Sequence, residues 1–333
     1  MRIGLVGAGR IGAFHARTLR DLEEIETVVL TDADADRART VAQGLGIEAV
    51  DDVEALVSSG VDGVTIAAAT PAHAKLIHRM ISAGLPVFCE KPVAPDVAGT
   101  QEIIAHARAT GVPLQVGFQR RFDAGYQAAR EAVRGGRLGW LHTLRAVTAD
   151  QMPPPADYIT TSGGIFRDCG VHDYDAVRWV TGRQIVEVSA LGANRGDAFF
   201  SEAGDVDTGV AILKLDDDTL AVCTAARYNG AGYDVRLEVA GSAGTAGVGL
   251  DDGVPLASME DGVDWPEARA HETFLERFHA AYVSELATFT EVAAGRAQNP
   301  CDGEEALEAL LVAEAAELSR KDRRAVRVEE VHG

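Results

Sequence analysis

The stretch Arg2-Ile3-Gly4-Leu5-Val6-Gly7-Ala8-Gly9-Arg10-Ile11-Gly12 decides the fold class. Its first half is a short apolar run, the pattern of a strand buried on both faces. The chain then passes through G-x-G-x-x-G into a segment with helical spacing, Ile11–Arg20. The chemistry of such a motif lies in its backbone. The first glycine permits a tight turn, the second lets the chain approach a pyrophosphate, and the third lets the helix pack on the strand. The N–H groups opening that helix then point at the phosphates. A lone G-x-G-x-x-G is weak evidence in a chain with 35 glycines, but this one falls between strand and helix near the N-terminus. A second apolar run, Val28-Val29-Leu30-Thr31, ends at Asp32, twenty residues past Gly12. A carboxylate there accepts both ribose hydroxyls of an adenosine and repels a 2′-phosphate. Gly7, Gly9, Arg10, Ile11, Gly12 and Asp32 are therefore the expected dinucleotide contacts, with NAD preferred to NADP. The alternative is a plain turn with Asp32 capping the next helix. Arg37 and Arg39, flanked by Asp34 and Asp36, are the residues that would suit NADP.

Outward from this stretch the first 120 residues keep alternating. Strand-like runs fall at Ile3–Val6, Thr27–Leu30, Gly63–Ala67, Pro86–Cys89 and Leu114–Gly117. Helical segments lie between or beside them at Asp34–Gln43, Asp52–Ser58, Ala72–Ala83 and Asp96–Ala109, with Gly84 and Gly111 placed as C-cap glycines. That alternation predicts an α/β Rossmann domain with a doubly wound parallel sheet over residues 1–120. Residues 121–333 read as an α+β domain with an open, mainly antiparallel sheet, its C-terminal helices able to pack back on the first domain. Its expected helices are Ala124–Arg134, a segment from near Gly170 to Trp179, Arg269–Ala294 and Glu304–Ser319. Strands are expected at Leu141–Val147, Val186–Leu191, Asp207–Leu215, Leu220–Ala226 and Tyr233–Ala240, with a hairpin turn at Asp216-Asp217-Asp218 and a proline-rich loop at Gln151–Tyr158.

Composition narrows the function. With 31 Lys and Arg against 51 Asp and Glu, the formal charge is −20, and so negative a surface repels nucleic acid and anionic lipid. No apolar stretch approaches the ~18 residues of a membrane span. A strand starting at Arg2 leaves no room for a signal peptide. Cys89, Cys169, Cys223 and Cys301 are far apart and form no C-x-x-C pair, which suits reduced thiols in a cytoplasmic protein. Asp168, His172, Asp173 and Asp175 lie close together, but helical spacing lets at most two of them converge, so no metal site is expected. The G-x-S-x-G elbow of serine hydrolases is absent.

Several motifs together resemble the Gfo/Idh/MocA family of nicotinamide oxidoreductases, and within it the inositol 2-dehydrogenase group. They are Gly7–Gly12 followed by His15; Ala69-Thr70-Pro71-Ala72-His73; Glu90-Lys91-Pro92; Gly117-Phe118-Gln119-Arg120-Arg121-Phe122-Asp123; and Ser162-Gly163-Gly164-Ile165-Phe166-Arg167-Asp168-Cys169-Gly170-Val171-His172-Asp173-Tyr174-Asp175. The resemblance implies a Rossmann domain followed by an α/β domain whose open sheet commonly mediates oligomers. It implies that Lys91 holds the substrate hydroxyl and stabilises negative charge as the proton leaves. Glu90 would help hold the nicotinamide side, with Thr70, Pro71 and His73 lining the ribose–nicotinamide channel and His15 packing beside the phosphate loop. Lys91-Pro92 is a candidate cis peptide.

His172 corresponds to the family's general base, with Asp168 four residues before it as partner and substrate-hydroxyl acceptor. A carboxylate one helical turn from an imidazole orients it and raises its proton affinity. Chemistry alone allows another reading, with Asp168 as an N-cap and His172 as a half-buried helix residue. Arg121 matches an arginine that contacts polyol hydroxyls, against a structural pairing of Arg120 or Arg121 with carboxylates. Tyr233 and Tyr282 match tyrosines near the substrate pocket, against plain core filling. The segments Gln151–Tyr158, Asn194–Asp205 and Arg227–Gly232 are where the family varies its substrate. Cys169-Gly170 departs from the inositol pattern.

The expected function is NAD-dependent oxidation of a secondary hydroxyl of a cyclic polyol or sugar to the ketone, with myo-inositol the leading substrate. The alternatives are another sugar or inositol isomer, NADP-linked chemistry, or a non-catalytic dinucleotide-binding regulator. The expected assembly is a homo-oligomer, tetramer or dimer.

Overall fold

In the computed structural model, which describes residues 1–266 and 268–332, the chain divides into two units. One comprises Met1–Gln119 with Ala280–Leu307, the other Arg120–His279 with Glu308–Gly333.

The first unit alternates β1 (Arg2–Val6), α1 (Arg10–Asp21), β2 (Thr27–Thr31), α2 (Ala35–Leu45), β3 (Glu48–Ala49), α3 (Val53–Ser58), β4 (Gly63–Ile66), α4 (Thr70–Ser82), β5 (Val87–Glu90), α5 (Val97–Thr110) and β6 (Leu114–Gly117). All six strands are parallel, in the order β3-β2-β1-β4-β5-β6. The order reverses between β1 and β4, and ligands of open α/β sheets bind beyond the carboxyl ends at such a point. Local chemistry sets the helix limits. Asp34, Asp52 and Asp96 accept the N–H of Arg37, Ala55 and Gly99 as N-caps. Gly111 ends α5 in the left-handed region. Ile3, Leu5, Val28, Leu30, Leu19 and Phe88 form the core with Leu286 and Phe289 from the C-terminal part of the chain. Two details differ from the sequence reading. The edge strand β3 is two exposed residues, too short to leave an apolar run. α4 begins at Thr70 rather than Ala72, since proline is well tolerated in a first turn.

The second unit contains α6 (Ala124–Arg134), β7 (Leu141–Ala149), α7 (Ala156–Ile159), α8 (Val171–Thr181), β8 (Ile185–Ala193), α9 (Ala198–Glu202), β9 (Thr208–Leu215), β10 (Leu220–Ala226), β11 (Asp234–Gly241), β12 (Gly244–Val248) and α10 (Phe274–Arg277). After these come α11 (His279–Ala293) and α12 (Gly303–Asp322), whose residues are shared between the units as given above, and β13 (Val326–Arg327). Its sheet runs β12-β11-β7-β10-β9-β8-β13. Among the described residues, β7 and β10 pair in parallel and every other pairing of this sheet is antiparallel. This matches the expected fold class. The hairpin turn between β9 and β10 carries Asp218 at φ 66°. β9 alternates strictly, burying Ala211, Leu213 and Leu215 while Val210 and Ile212 face out. The long helix expected over Arg269–Ala294 starts later and is broken. Arg269 pairs with Glu272 and Glu276, Thr273 caps α10, and α11 begins at His279. The helix expected near Gly170 is preceded by a π-helical turn, Phe166–Gly170. Among the described residues, no helix is long and apolar enough to cross a membrane.

Candidate functional site

The glycine loop in the first unit is shaped by contacts that exclude side chains. A Cβ on Gly12 would lie 1.9 Å from the Gly7 carbonyl oxygen, so α1 rests directly on the turn. Gly7 adopts φ 111°, and a Cβ there would meet the Ala67 carbonyl at 2.4 Å. Gly9 is different: a Cβ there would meet nothing within 4 Å. Space is left beside the second glycine, at the N-cap of a helix with no side-chain cap and no acidic residue in its first turn. Such a helix end is an anion cradle. Arg10 and Ile11 form its first turn.

Asp32 follows β2. Its carboxylate accepts the Ala8 N–H at 2.6 Å and the Asp34 N–H at 2.8 Å, with Arg37 at 3.8 Å. It ties the glycine loop to the end of β2, and each oxygen keeps a lone pair for a further donor. The cradle and this acceptor suit a dinucleotide with a free ribose diol.

Beyond β4 and β5 the structure places the next predicted residues. Thr70 and exposed Pro71 open α4, while His73 is buried. The imidazole of His73 meets the Pro92 carbonyl at 2.7 Å and the Ala68 carbonyl at 3.0 Å. It braces the segments after the two strands. Glu90 ends β5, and Lys91-Pro92 is cis. The Glu90 carboxylate meets Nε2 of buried His15 at 2.6 Å. A Cβ on Gly117 would come within 3.0 Å of that carboxylate, so Gly117 makes room for it. Tyr282 is buried edge-on to Phe14 and His15, a packing role beside α1.

In the second unit, three segments emerge at one end of the sheet. Asp150 follows β7, Arg227 follows its parallel neighbour β10, and Asp207 and Tyr233 precede the antiparallel strands β9 and β11. The loops read as substrate-varying therefore share this end. Asp168 lies in the π-helical turn and His172 in the first turn of α8, both half-buried. π-turns are frequent at functional sites. The Asp168 carboxylate accepts from Arg227 Nη2 at 2.7 Å and from the Tyr158 hydroxyl at 2.9 Å. Arg227, Tyr158 and Asp150 were not found from sequence.

Arg121 is buried, and its Nε and Nη2 both bond the Asp175 carboxylate, at 3.0 and 2.5 Å. Buried Arg120 pairs with Asp173, which also accepts from Thr148, and its guanidinium lies 6.0 Å from the Tyr126 and Phe278 rings. Burial raises the Asp173 pKa, with Arg120 opposing. Burial likewise pushes the Tyr126 phenol up to about 12. Both arginines thus have structural partners, the alternative left open by the sequence. Tyr233 is buried, donating its N–H to the His271 carbonyl at 2.7 Å, with its phenol pushed well up by burial. Cys89, Cys169, Cys223 and Cys301 are buried thiols outside any disulfide. Among the described residues, no three His, Cys, Asp or Glu side chains group as a metal site.

Comparison with known proteins identifies the family. Residues 1–118 match the oxidoreductase family with an NAD-binding Rossmann fold, and residues 126–247 the GFO/IDH/MocA C-terminal domain. A myo-inositol dehydrogenase of Streptomyces leeuwenhoekii is 40% identical over 96% of this chain and 97% of its own. The myo-inositol 2-dehydrogenase of Thermotoga maritima is 36% identical over the full length of both. Among solved structures, a scyllo-inositol dehydrogenase from Lactobacillus casei, with bound NAD(H) and scyllo-inositol, superposes with TM-score 0.88 at 28% identity, over 99% of each chain. With its parallel nucleotide-binding sheet, its open second sheet and both family domains in order, the chain belongs to the GFO/IDH/MocA oxidoreductase family.

Proposed function

We propose that this protein is an NAD-dependent dehydrogenase that oxidises a secondary hydroxyl of a cyclic polyol to the ketone, with myo-inositol to 2-keto-myo-inositol as its reaction. The observation that carries this reading is the open cradle at Gly9 joined to the Asp32 acceptor, in a chain similar end to end to inositol dehydrogenases. NAD supplies the hydride acceptor when bound. Lys91 donates to the substrate oxygen and steadies its growing negative charge. His172 takes the hydroxyl proton, and Asp168 accepts a hydroxyl of the same substrate. Glu90 and the segment Thr70–His73 support the nicotinamide side. The pairing of Arg121 with Asp175 and the packing of Tyr282 on Phe14 and His15 favour structural roles for those two residues.

A homo-oligomer, tetramer or dimer, in the cytoplasm completes the reading. One face of the second sheet supports it. On that face Leu191 lies opposite Val210 and Ile212 opposite Val222, with Leu191 72% and Ile212 50% exposed. An apolar patch of this kind seeks a partner. The buried thiols, none in a disulfide, suit a reducing compartment.

The test is an initial-rate screen with NAD or NADP against myo-, scyllo- and chiro-inositol, glucose and other aldoses, following reduced-nicotinamide absorbance. Turnover of an inositol with NAD is expected. NADH binding without turnover of any inositol would overturn the substrate assignment. Light scattering at 35.1 kDa would remove the oligomer.

A further inference from the structure

Asp168 is gripped from outside its own helix. Arg227 bridges two carboxylates, donating to Asp168 at 2.7 Å and to Asp150 at 3.0 Å, and its side chain is only 3% exposed. Asp150 and Arg227 are adjacent because each directly follows one of two paired strands, Ala149 standing opposite Ala226. The second grip comes from a loop. Tyr158, in the four-residue α7, donates its hydroxyl to the other Asp168 oxygen at 2.9 Å, although the residue as a whole is 44% exposed. Burial of the phenol, and then Asp168 itself, hold its ionisation far above the ordinary range. Burial works against the Arg227 charge, and the carboxylates of Asp168 and Asp150 outweigh it. A carboxylate has about four lone-pair sites. Arg227 and Tyr158 place one donor on each Asp168 oxygen, and this restricts the directions from which a further hydroxyl can reach the carboxylate.

We infer that Tyr158 and Arg227 are positioning residues for Asp168: Arg227 fixes the carboxylate's orientation, and Tyr158 latches the proline-rich segment 151–162 to it. The loop's place and the acceptor's aim are then set by one hydrogen-bonded unit, Tyr158–Asp168–Arg227–Asp150. This makes segment 151–162 a determinant of which polyol isomer is accepted. The kinetic half of the inference rests on Asp168 accepting a substrate hydroxyl, as proposed above; the latch does not.

Two measurements test it on the full-length protein. The first is amide hydrogen exchange across residues 151–162, which needs no substrate. Tyr158→Phe and Asp168→Ala should each speed exchange about tenfold, the size of effect expected from losing a hydrogen bond to a charged group. Lys91→Met should leave that segment unchanged. Exchange in Tyr158→Phe within twofold of the parent protein overturns the latch. The second is steady-state kinetics with an inositol pair. Tyr158→Phe should raise polyol KM more than it lowers kcat, and should shrink the ratio of kcat/KM between myo- and scyllo-inositol. Arg227→Gln removes the cation between two carboxylates, so the acid limb of the pH profile should move to higher pH. Arg227→Lys should restore part of it, and also covers the case in which Arg227→Gln does not fold. An unchanged isomer ratio with an unmoved acid limb overturns the positioning role. If the parent protein oxidises no cyclic polyol, the substrate assignment falls, and exchange alone still decides the latch.

Discussion

The second and third glycines of the nucleotide loop, Gly9 and Gly12, make opposite predictions, and substituting each with alanine separates folding from cofactor binding. Gly12→Ala places a methyl 1.9 Å from the Gly7 carbonyl oxygen. An ordinary contact needs well over 3 Å, so α1 must move by more than an ångström off β1. Overpacking of this kind costs about 1–3 kcal/mol, which lowers Tm by about 2–12 °C in a unit of this size. The displaced helix carries its N–H groups with it, so NADH affinity falls as well. Gly9→Ala meets nothing within 4 Å, and its backbone, at φ −71°, suits any residue. The apo protein should keep its Tm within about 2–4 °C, since exchanging glycine for alanine at an N-cap costs at most ~1 kcal/mol. The methyl nevertheless occupies the space proposed for the pyrophosphate, and NADH should bind ten- to a hundredfold more weakly, about 1.4–2.8 kcal/mol. Thermal unfolding without ligand and NADH fluorescence titration read the two effects separately. Wild-type NADH affinity in Gly9→Ala would refute the assignment of that space to the pyrophosphate. An unshifted Tm in Gly12→Ala would refute the packing argument.

Asp32→Asn keeps an acceptor for the Ala8 N–H but removes the charge opposing a 2′-phosphate, so the preference for NAD over NADP should fall at least tenfold, read as the ratio of kcat/KM values. Lys91→Met and His172→Asn should each lower kcat by about 10²–10⁴-fold, the usual span for lost acid–base or charge-stabilising groups, with NADH titrations within a few-fold of the parent. Near-normal activity across pH in His172→Asn would remove it as the base. Asp207 is a stability element. Burial opposes its charge, but the Gly196 and Arg195 N–H groups at 2.7 and 2.6 Å prevail and lower its pKa. A depressed carboxylate contributes stability above its unfolded pKa of about 3.9 and loses it as pH falls through the folded value. Asp207→Asn should therefore lower Tm at pH 7 and flatten the decline of Tm below pH 4; an unchanged acid profile would contradict this.

The fold was legible where information is local. β1, the glycine turn and Asp32 lie within about thirty residues, and each glycine has its own steric reason. The parallel strands announce themselves as apolar runs because both faces are covered. The signal fades at sheet edges: β12, Gly-Thr-Ala-Gly-Val, has no β-branched run, and β3 has two exposed residues. The π-helical turn left no mark either, since its residues have ordinary helical spacing. At the site, spacing suggested Asp168 and His172, but not what grips Asp168. Arg227 is 59 residues away and Tyr158 ten, reached through β7–β10 pairing and a loop. Neither link has a short-range pattern. Arg227 stood within a segment set aside as variable, which concealed its role.

The motifs behind the resemblance divide once their contacts are known. Arg120 and Arg121 leave the end of the first sheet, and Asp173 and Asp175 stand two apart on α8. The consecutive arginines pair with the alternate aspartates in the same order. All four side chains are almost wholly buried. Breaking a buried pair by removing one partner is strongly destabilising, so these residues are needed for α8 to stand where it does, whatever the substrate. Their match to inositol enzymes therefore speaks for the fold and for the placement of His172, which shares that helix. It is silent about which polyol is oxidised. On the proposed reading, substrate choice falls to groups outside these buried pairs at the same end of the sheet. These are the proline-rich segment with Tyr158, the Asn194–Asp205 loop and the turn after Arg227. Tyr158 is the member of this set already joined to Asp168 by a hydrogen bond, so changes in the proline-rich segment should alter isomer preference before they alter stability.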